Sequence, residues 1–589
     1  VRPLNAKKKK RGGSLELPTP PAAPNILFSP QGPACRKTIG RSREESNRRG
    51  QLPILPAAGP IDVAFAKRLE PLFATWCVSP TRGSSAALPQ NRRRANSAEQ
   101  HRHGRVLHRI FPYQTTLTSA FLRGYHTAVQ SIVVINVVGL TSDLIGPDMP
   151  RVAEFARRSA IAPIDPVIPA VTCSVQATYL TGRWPSEHGI VGNGWYFRDE
   201  CEVRFWRQSN RLVAGDKLWD EAKQRDRKFS CANLFWWYNM YSTVDVSVTP
   251  RPMYPCDGRK IPDIHTHPAG LRDELQRELG TFPLFQFWGP ATNIASSQWI
   301  ADAAKRVIDQ FAPTMSLVYL PHLDYCLQRL GPNPISNAAE LRQIDQVIGS
   351  LIDFCATRGA TVVLLSEYGI TAVARPVHLN RVLRQAGLLT VRAELGRELL
   401  DAGASRAFAV ADHQVAHIYV NDRSSLDAVR TLIQNTPGVD RVYDQAAAKE
   451  IHLNHPRAGD LIALSEPDAW FTYYYWLDES RQPDFAPTVD IHRKPGYDPA
   501  ELFIDPRLKF PRLKIAAKLL RKKLGFRYRM DVIPTSGELV RGSHGLPAAS
   551  PRNAPIFISP RKDLVPGEPL PPVAIRQLLL DHIFHSPKS

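Results

Sequence analysis

The chemistry-bearing residues of this 589-residue chain concentrate in one dense stretch. It reads Pro169-Ala170-Val171-Thr172-Cys173-Ser174, then Ala177-Thr178-Tyr179-Leu180-Thr181-Gly182, Pro185, and His188-Gly189-Ile190-Val191-Gly192-Asn193. A threonine hydroxyl is a poor nucleophile at neutral pH unless something stabilises its alkoxide, and a metal ion is one means. Groups able to hold a metal stand further along: Asp324, Glu367-Tyr368, and His544 within Gly542-Ser543-His544-Gly545. Asp412-His413 with His417, and Asp490-Ile491-His492, add carboxylates close to imidazoles. Such a pair can share a metal as ligand and supporting partner.

These side chains need a frame, and the apolar pattern supplies one. Ile132-Val133-Val134-Ile135-Asn136-Val137-Val138 is a β-branched run ended by Gly139. That is the signature of a strand buried on both faces of a parallel sheet. Leu341, Ile344, Val347, Ile348, Leu351, Ile352 and Cys355 recur at helical spacing. Arg358-Gly359 breaks that helix, and Thr361–Leu365 reads as a second buried strand. Helix, glycine, then strand is α/β grammar. Open α/β sheets bind ligands just beyond their strands, which directs attention to Asp324, Glu367 and the residues after Val138. Residues 407–444 read as a small α+β unit, with a strand over Ala407–Val420, a helix over Ser424–Gln434, and a turn into a strand over Gly438–Tyr443.

The ordered stretch around Thr172 resembles the nucleotide pyrophosphatase/phosphodiesterase branch of the alkaline phosphatase superfamily, and the likeness spans roughly residues 130–560. It implies an α/β fold with an alkaline-phosphatase-like central sheet, helices on both its faces, and a small α+β insertion over 406–465. It implies that Thr172 is the nucleophile of a covalent phospho-enzyme and that Asn193 holds a phosphoryl oxygen. A plainer reading also stands, in which Thr172 caps a helix starting near Cys173. The resemblance makes Asp324 and His544 metal ligands, with Gln328 where the family has a histidine and Glu367-Tyr368 where it has Asp-His. The first-strand carboxylate of the family becomes Val138. Asn136 shares a strand face with Val138, since strand side chains alternate, and is a candidate replacement. His492 and His413 are further candidates.

Such a site is rich in oxygen and expects one or two divalent ions, Zn²⁺, Mn²⁺ or Mg²⁺. The implied activity is hydrolysis of a phosphodiester or nucleotide pyrophosphate in a small-molecule phosphate ester. The alternatives are a phosphonate or sulfate ester hydrolase, or a phosphate-ester-binding protein of the same fold without catalysis.

Composition bounds the rest. The net charge is +20, and residues 1–105 carry +14 of it with 20 Lys and Arg against 6 Asp and Glu. Residues 1–128 are rich in Pro, Arg, Gly and Ser and read as a disordered basic extension. A basic arm for nucleic acid is the sharper alternative, but no specific nucleic acid is expected. Residues 561–589 read as a C-terminal tail. Eight cysteines without a CxxC pair point to reduced thiols and a cytoplasmic setting. Lys7–Arg11 is not followed by an apolar segment, so no secretory signal is expected. No apolar run approaches a membrane span, and the sequence does not define an oligomer. The aromatic runs Phe235–Tyr238 and Trp470–Trp476 read as a stacking platform or as core. The basic run Lys514–Arg529, with leucines interleaved, reads as a membrane-facing or solvated helix.

Overall fold

The computed structural model describes residues 130–586. The expected extension over residues 1–128 lies outside the described residues.

Eight strands build one sheet: β1 (Ile132–Val137), β2 (Ala160–Pro163), β3 (Cys231–Leu234), β4 (Val246–Pro250), β5 (Ile264–His267), β6 (Met315–Leu320), β7 (Thr361–Leu365) and β8 (Ile556–Ser559). Their order across the sheet is β2-β8-β7-β1-β6-β3-β4-β5. The five from β7 to β4 run parallel. Strand β5 on one side and β8 on the other run antiparallel to these five, and β2, antiparallel to β8, forms the far edge. All residues of β1 and β6 are buried, so the sheet is covered on both faces. This is the α/β architecture that the β-branched runs predict. Each aliphatic side chain buried there contributes about 1.5–3 kcal/mol over an exposed one.

Register aligns the strand ends. Val137 lies opposite Leu320, while Asn136 pairs with Tyr319 on one side and Leu365 on the other. The segments that follow β1, β6 and β7 therefore leave the sheet along one edge. Helix α1 (Thr172–Thr181) is buried at all ten positions. Helix α2 (Ala295–Phe311) leads into β6, and α3 (His322–Leu330), which carries Asp324 and Gln328, follows it. Helix α4 (Ala338–Ala356) buries the seven apolar residues whose spacing marked it in the sequence.

The insertion contains a four-stranded antiparallel sheet of Ala407–Asp412, Val415–Val420, Val439–Asp444 and Leu461–Ser465, with a helix over Leu426–Gln434. The single strand expected over Ala407–Val420 is a hairpin instead. His413, at φ 62°, turns the chain, and both arms are buried on both faces, so no polar alternation marks the turn. The stretch expected as a C-terminal tail contains helix α5 (Ile575–Phe584), whose Ile575, Leu578, Leu579, Leu580 and Ile583 join the main core.

Candidate active site

Thr172 is the first residue of α1, with extended Val171 before it. The cap position belongs to Val171 and not to Thr172, whose hydroxyl lies 3.1 Å from the Tyr368 hydroxyl. N–H groups in a first helical turn lack partners within the helix. The Cys173 N–H finds one in Asn193 Oδ1 at 3.1 Å. Asn193 is itself held by Asp412, which accepts from its backbone N–H at 2.7 Å and from its Nδ2 at 3.1 Å. Glycine at position 192 permits this approach, because a Cβ there would stand 3.0 Å from Asp412 Oδ2.

Below Thr172 lie two carboxylates in separate settings. Asp324 Oδ1 accepts from the Tyr368 hydroxyl at 3.2 Å, and Oδ2 accepts from Gln328 Nε2 at 2.8 Å. Gln328 Oε1 in turn accepts from the Tyr497 hydroxyl at 3.0 Å. Glu367 Oε1 accepts from Asn136 Nδ2 and from Gln176 Nε2, each at 2.5 Å. Gln176 Oε1 accepts from the Trp237 N–H at 2.7 Å, tying the aromatic run to the site. Glycine at 369 anchors the Glu367-Tyr368 loop: a Cβ there would stand 1.9 Å from the Asn553 carbonyl, so only glycine lets the loop press against the segment before β8.

His544 donates from Nδ1 to the Ala170 carbonyl at 2.7 Å. Its ring stacks on Tyr368 at 3.7 Å, and its Nε2 lies 3.6 Å from Asp324 Oδ1. His413 packs against His544 at 3.6 Å and Tyr497 at 3.7 Å.

Burial dominates the electrostatics. It pushes Asp324 and Asp412 up to about 7 and Glu367 up to about 8, against the hydrogen bonds they accept. It pushes His544 down to about 3 and holds His413 well below the usual imidazole range. The site is thus an acidic pocket with neutral imidazoles.

The structure brings together Thr172, Asn193, Asp324, Gln328, Glu367, His544 and Asn136. His492 is elsewhere, its ring edge-on to Tyr254 at 6.3 Å and close to Lys260 and Arg251. His417 bonds the Val191 carbonyl at 2.9 Å, which is a structural role. Sequence reasoning missed Gln176, although it lies one helical turn after Thr172 and so shares its face. It also missed that Asp412 positions Asn193, having read Asp412 only as a partner for a metal-bound imidazole.

The donor set does not fit a two-metal centre. Both Asp324 oxygens accept from protein groups, the Gln328 carbonyl oxygen faces Tyr497, and the Tyr368 ring fills space beside His544. Val138, fully buried, offers no ligand. The open donors are Glu367 Oε2, Asn136 Oδ1 and His413 Nδ1, which lack partners, and His544 Nε2, four in all where two catalytic zinc ions would take six. Structural zinc takes four ligands and catalytic zinc three from the protein. Among the described residues no cluster of three or more His, Cys, Asp or Glu has metal-binding geometry.

Comparison with known proteins bears on the same region. The profile of the family described as type I phosphodiesterase / nucleotide pyrophosphatase matches residues 132–498. An uncharacterized pyrophosphatase/phosphodiesterase of Schizosaccharomyces pombe is 22% identical over 405 residues, covering 66% of this chain and 72% of that protein. Murine ectonucleotide pyrophosphatase / phosphodiesterase 5 aligns over 78% of this chain and 96% of its own, at 14% identity and a TM-score of 0.47. Phosphonoacetate hydrolase of Sinorhizobium meliloti, solved with phosphonoformate, aligns over 77% and 96%, at 14% identity and a TM-score of 0.49. The profile match covers more than half of the sequence, and the chain belongs to the type I phosphodiesterase / nucleotide pyrophosphatase family of hydrolases.

Proposed function

We propose that this protein hydrolyses phosphodiester or nucleotide pyrophosphate bonds with Thr172 as a covalent nucleophile. The observation that carries the reading is the chain of hydroxyls from Thr172 through Tyr368 to Asp324, with separations of 3.1 and 3.2 Å. Tyr368 has one phenolic hydrogen, which it donates to Asp324, so Thr172 donates to Tyr368. As the Thr172 oxygen bonds to phosphorus, its proton passes to Tyr368 and the phenolic proton passes to Asp324. The bond from phosphorus to the leaving oxygen breaks, and that oxygen takes a proton from water. A second water then attacks phospho-Thr172 and gives up a proton to the hydroxide left by the first, the bond from phosphorus to the threonine oxygen breaks, and the proton returns from Asp324 through Tyr368 to that oxygen. A base with a pKa near 7 suits this work at neutral pH.

Asn193 supports the same step. Its Nδ2 carries two hydrogens and Asp412 takes one, which leaves the other for a phosphoryl oxygen. One such donor is worth about 10²–10³ in rate. Members of this family generally depend on divalent metal ions. The residues here do not fit the two-metal arrangement, so every step above runs on the chain's own groups. Six free thiols among the described residues, four of them buried, support a reducing, cytoplasmic setting. No helix among the described residues is long and apolar enough to cross a membrane.

The lost metal donors favour a second reading, a protein that binds phosphate esters without turning them over. Hydrolysis of bis(p-nitrophenyl) phosphate, measured with EDTA and with added Zn²⁺, Mn²⁺ or Mg²⁺, separates the two. Turnover in EDTA that disappears in Thr172→Ala, with phosphate trapped on Thr172 by mass spectrometry, supports the first. Binding without turnover under every condition supports the second, and equal turnover in Thr172→Ala removes the nucleophile assignment.

A further inference from the structure

The segment 509–529 contains nine Lys and Arg and no Asp or Glu. Most of it is a helix, Pro511–Lys523, in which no residue is buried. One face rests on the body. Ile515 packs beside Val532 and Ile533, while Lys514 and Lys518 pair with Asp531 at 3.4 and 2.6 Å. The opposite face carries Leu513, Leu520 and Leu524, at 69%, 56% and 63% exposure. Steps of seven and four residues put them in one stripe. Phe510 and Phe526, 71% and 61% exposed, flank its ends.

We infer that this face is a docking surface for an anionic lipid bilayer, with the leucines and phenylalanines entering the interface and the basic side chains meeting lipid phosphates. Aliphatic and aromatic side chains held outward on a cationic helix match the chemistry of a charged membrane surface. A nucleic-acid backbone would engage the cations and leave the leucines without a partner. The helix is about 20 Å long at 1.5 Å per residue. It lies flat on the body, which suits peripheral adsorption.

The test is co-sedimentation of the full chain with vesicles of phosphatidylcholine alone or with one quarter phosphatidylserine. Two double variants, Leu520→Glu with Leu524→Glu and Arg521→Glu with Arg527→Glu, change only exposed positions, and thermal unfolding checks that both remain folded. The wild type is expected to bind serine-containing vesicles at least tenfold better than neutral ones, and each variant to lose at least tenfold. Failure of the wild type to bind, or equal binding to neutral vesicles, overturns the inference. So does unchanged binding in the variants, which would assign adsorption to the basic residues 1–105. Binding lost only in the arginine variant, and competed away by duplex DNA, would point to nucleic acid instead.

Discussion

Glu367→Gln is the most informative single perturbation. Glu367 is 1% exposed, and burial lifts its carboxyl from 4.5 to about 8. The folded state therefore holds the proton more tightly than the unfolded chain. Below pH 4.5 both states are protonated, and the group's contribution to stability is fully present. Between pH 4.5 and 8 the unfolded chain ionises first, so stability falls by up to about 1.4 kcal/mol per pH unit. The whole shift corresponds to about 5 kcal/mol. Glutamine preserves the acceptor for Asn136 and Gln176 but cannot ionise. Relative to wild type, the variant is expected to gain about 4 kcal/mol between pH 5 and pH 8, whatever fixed offset the substitution brings. Urea unfolding followed by circular dichroism at both pH values, with and without EDTA, measures the difference. An offset that does not grow with pH refutes the reasoning. A Gln variant that is the weaker one at pH 8, and only without EDTA, would mean that Glu367 is an ionised metal ligand.

Tyr368→Phe removes the middle of the hydroxyl chain and should lower kcat by about 10²–10⁴ with KM little changed; steady-state kinetics with bis(p-nitrophenyl) phosphate reads both, and an unaltered kcat would exclude the relay. Asp412→Ala strips two acceptors from Asn193 and should cost about 1–3 kcal/mol of stability together with part of kcat, measured by urea unfolding and the same assay. Leu579→Ala in α5 should cost about 2–5 kcal/mol by urea unfolding, whereas a loosely attached tail would give no change.

The parts of the fold that were legible in the sequence are those where one face or one period dominates. Ile132–Val138 and Thr361–Leu365 announced themselves because central parallel strands admit nothing but apolar, β-branched side chains. The hairpin at His413 was illegible for the same reason, since two doubly buried arms read as one long strand. At the site, Thr172 and Asn193 followed from an ordered motif, and the register that joins Asn136 to Glu367 follows from strand pairing. The engagement of Gln328 by Tyr497, and of Asn193 by Asp412, joins residues 169 and 219 positions apart. Local pattern carries no trace of pairings at that distance. His492 failed as a candidate because neighbouring cations, unrecognisable as neighbours in sequence, surround it.

The bond from His544 to the Ala170 carbonyl spans 374 positions, and the Gln130 N–H reaches the Ile583 carbonyl at 3.1 Å. Contacts of such separation are slow to form, because a long loop must close before they reward the chain. During synthesis the pocket around Thr172 lacks its floor until the chain has been made past His544, and the sheet lacks α5 until later still. A nascent chain that stops short of His544 therefore carries the nucleophile without the site, with the edge of β7 that β8 would pair with exposed to chaperones and proteases. Phosphoester turnover in a cell-free translation would mark synthesis past His544, and a stop codon placed just before His544 should yield a product cleared for misfolding before it is ever tested for activity.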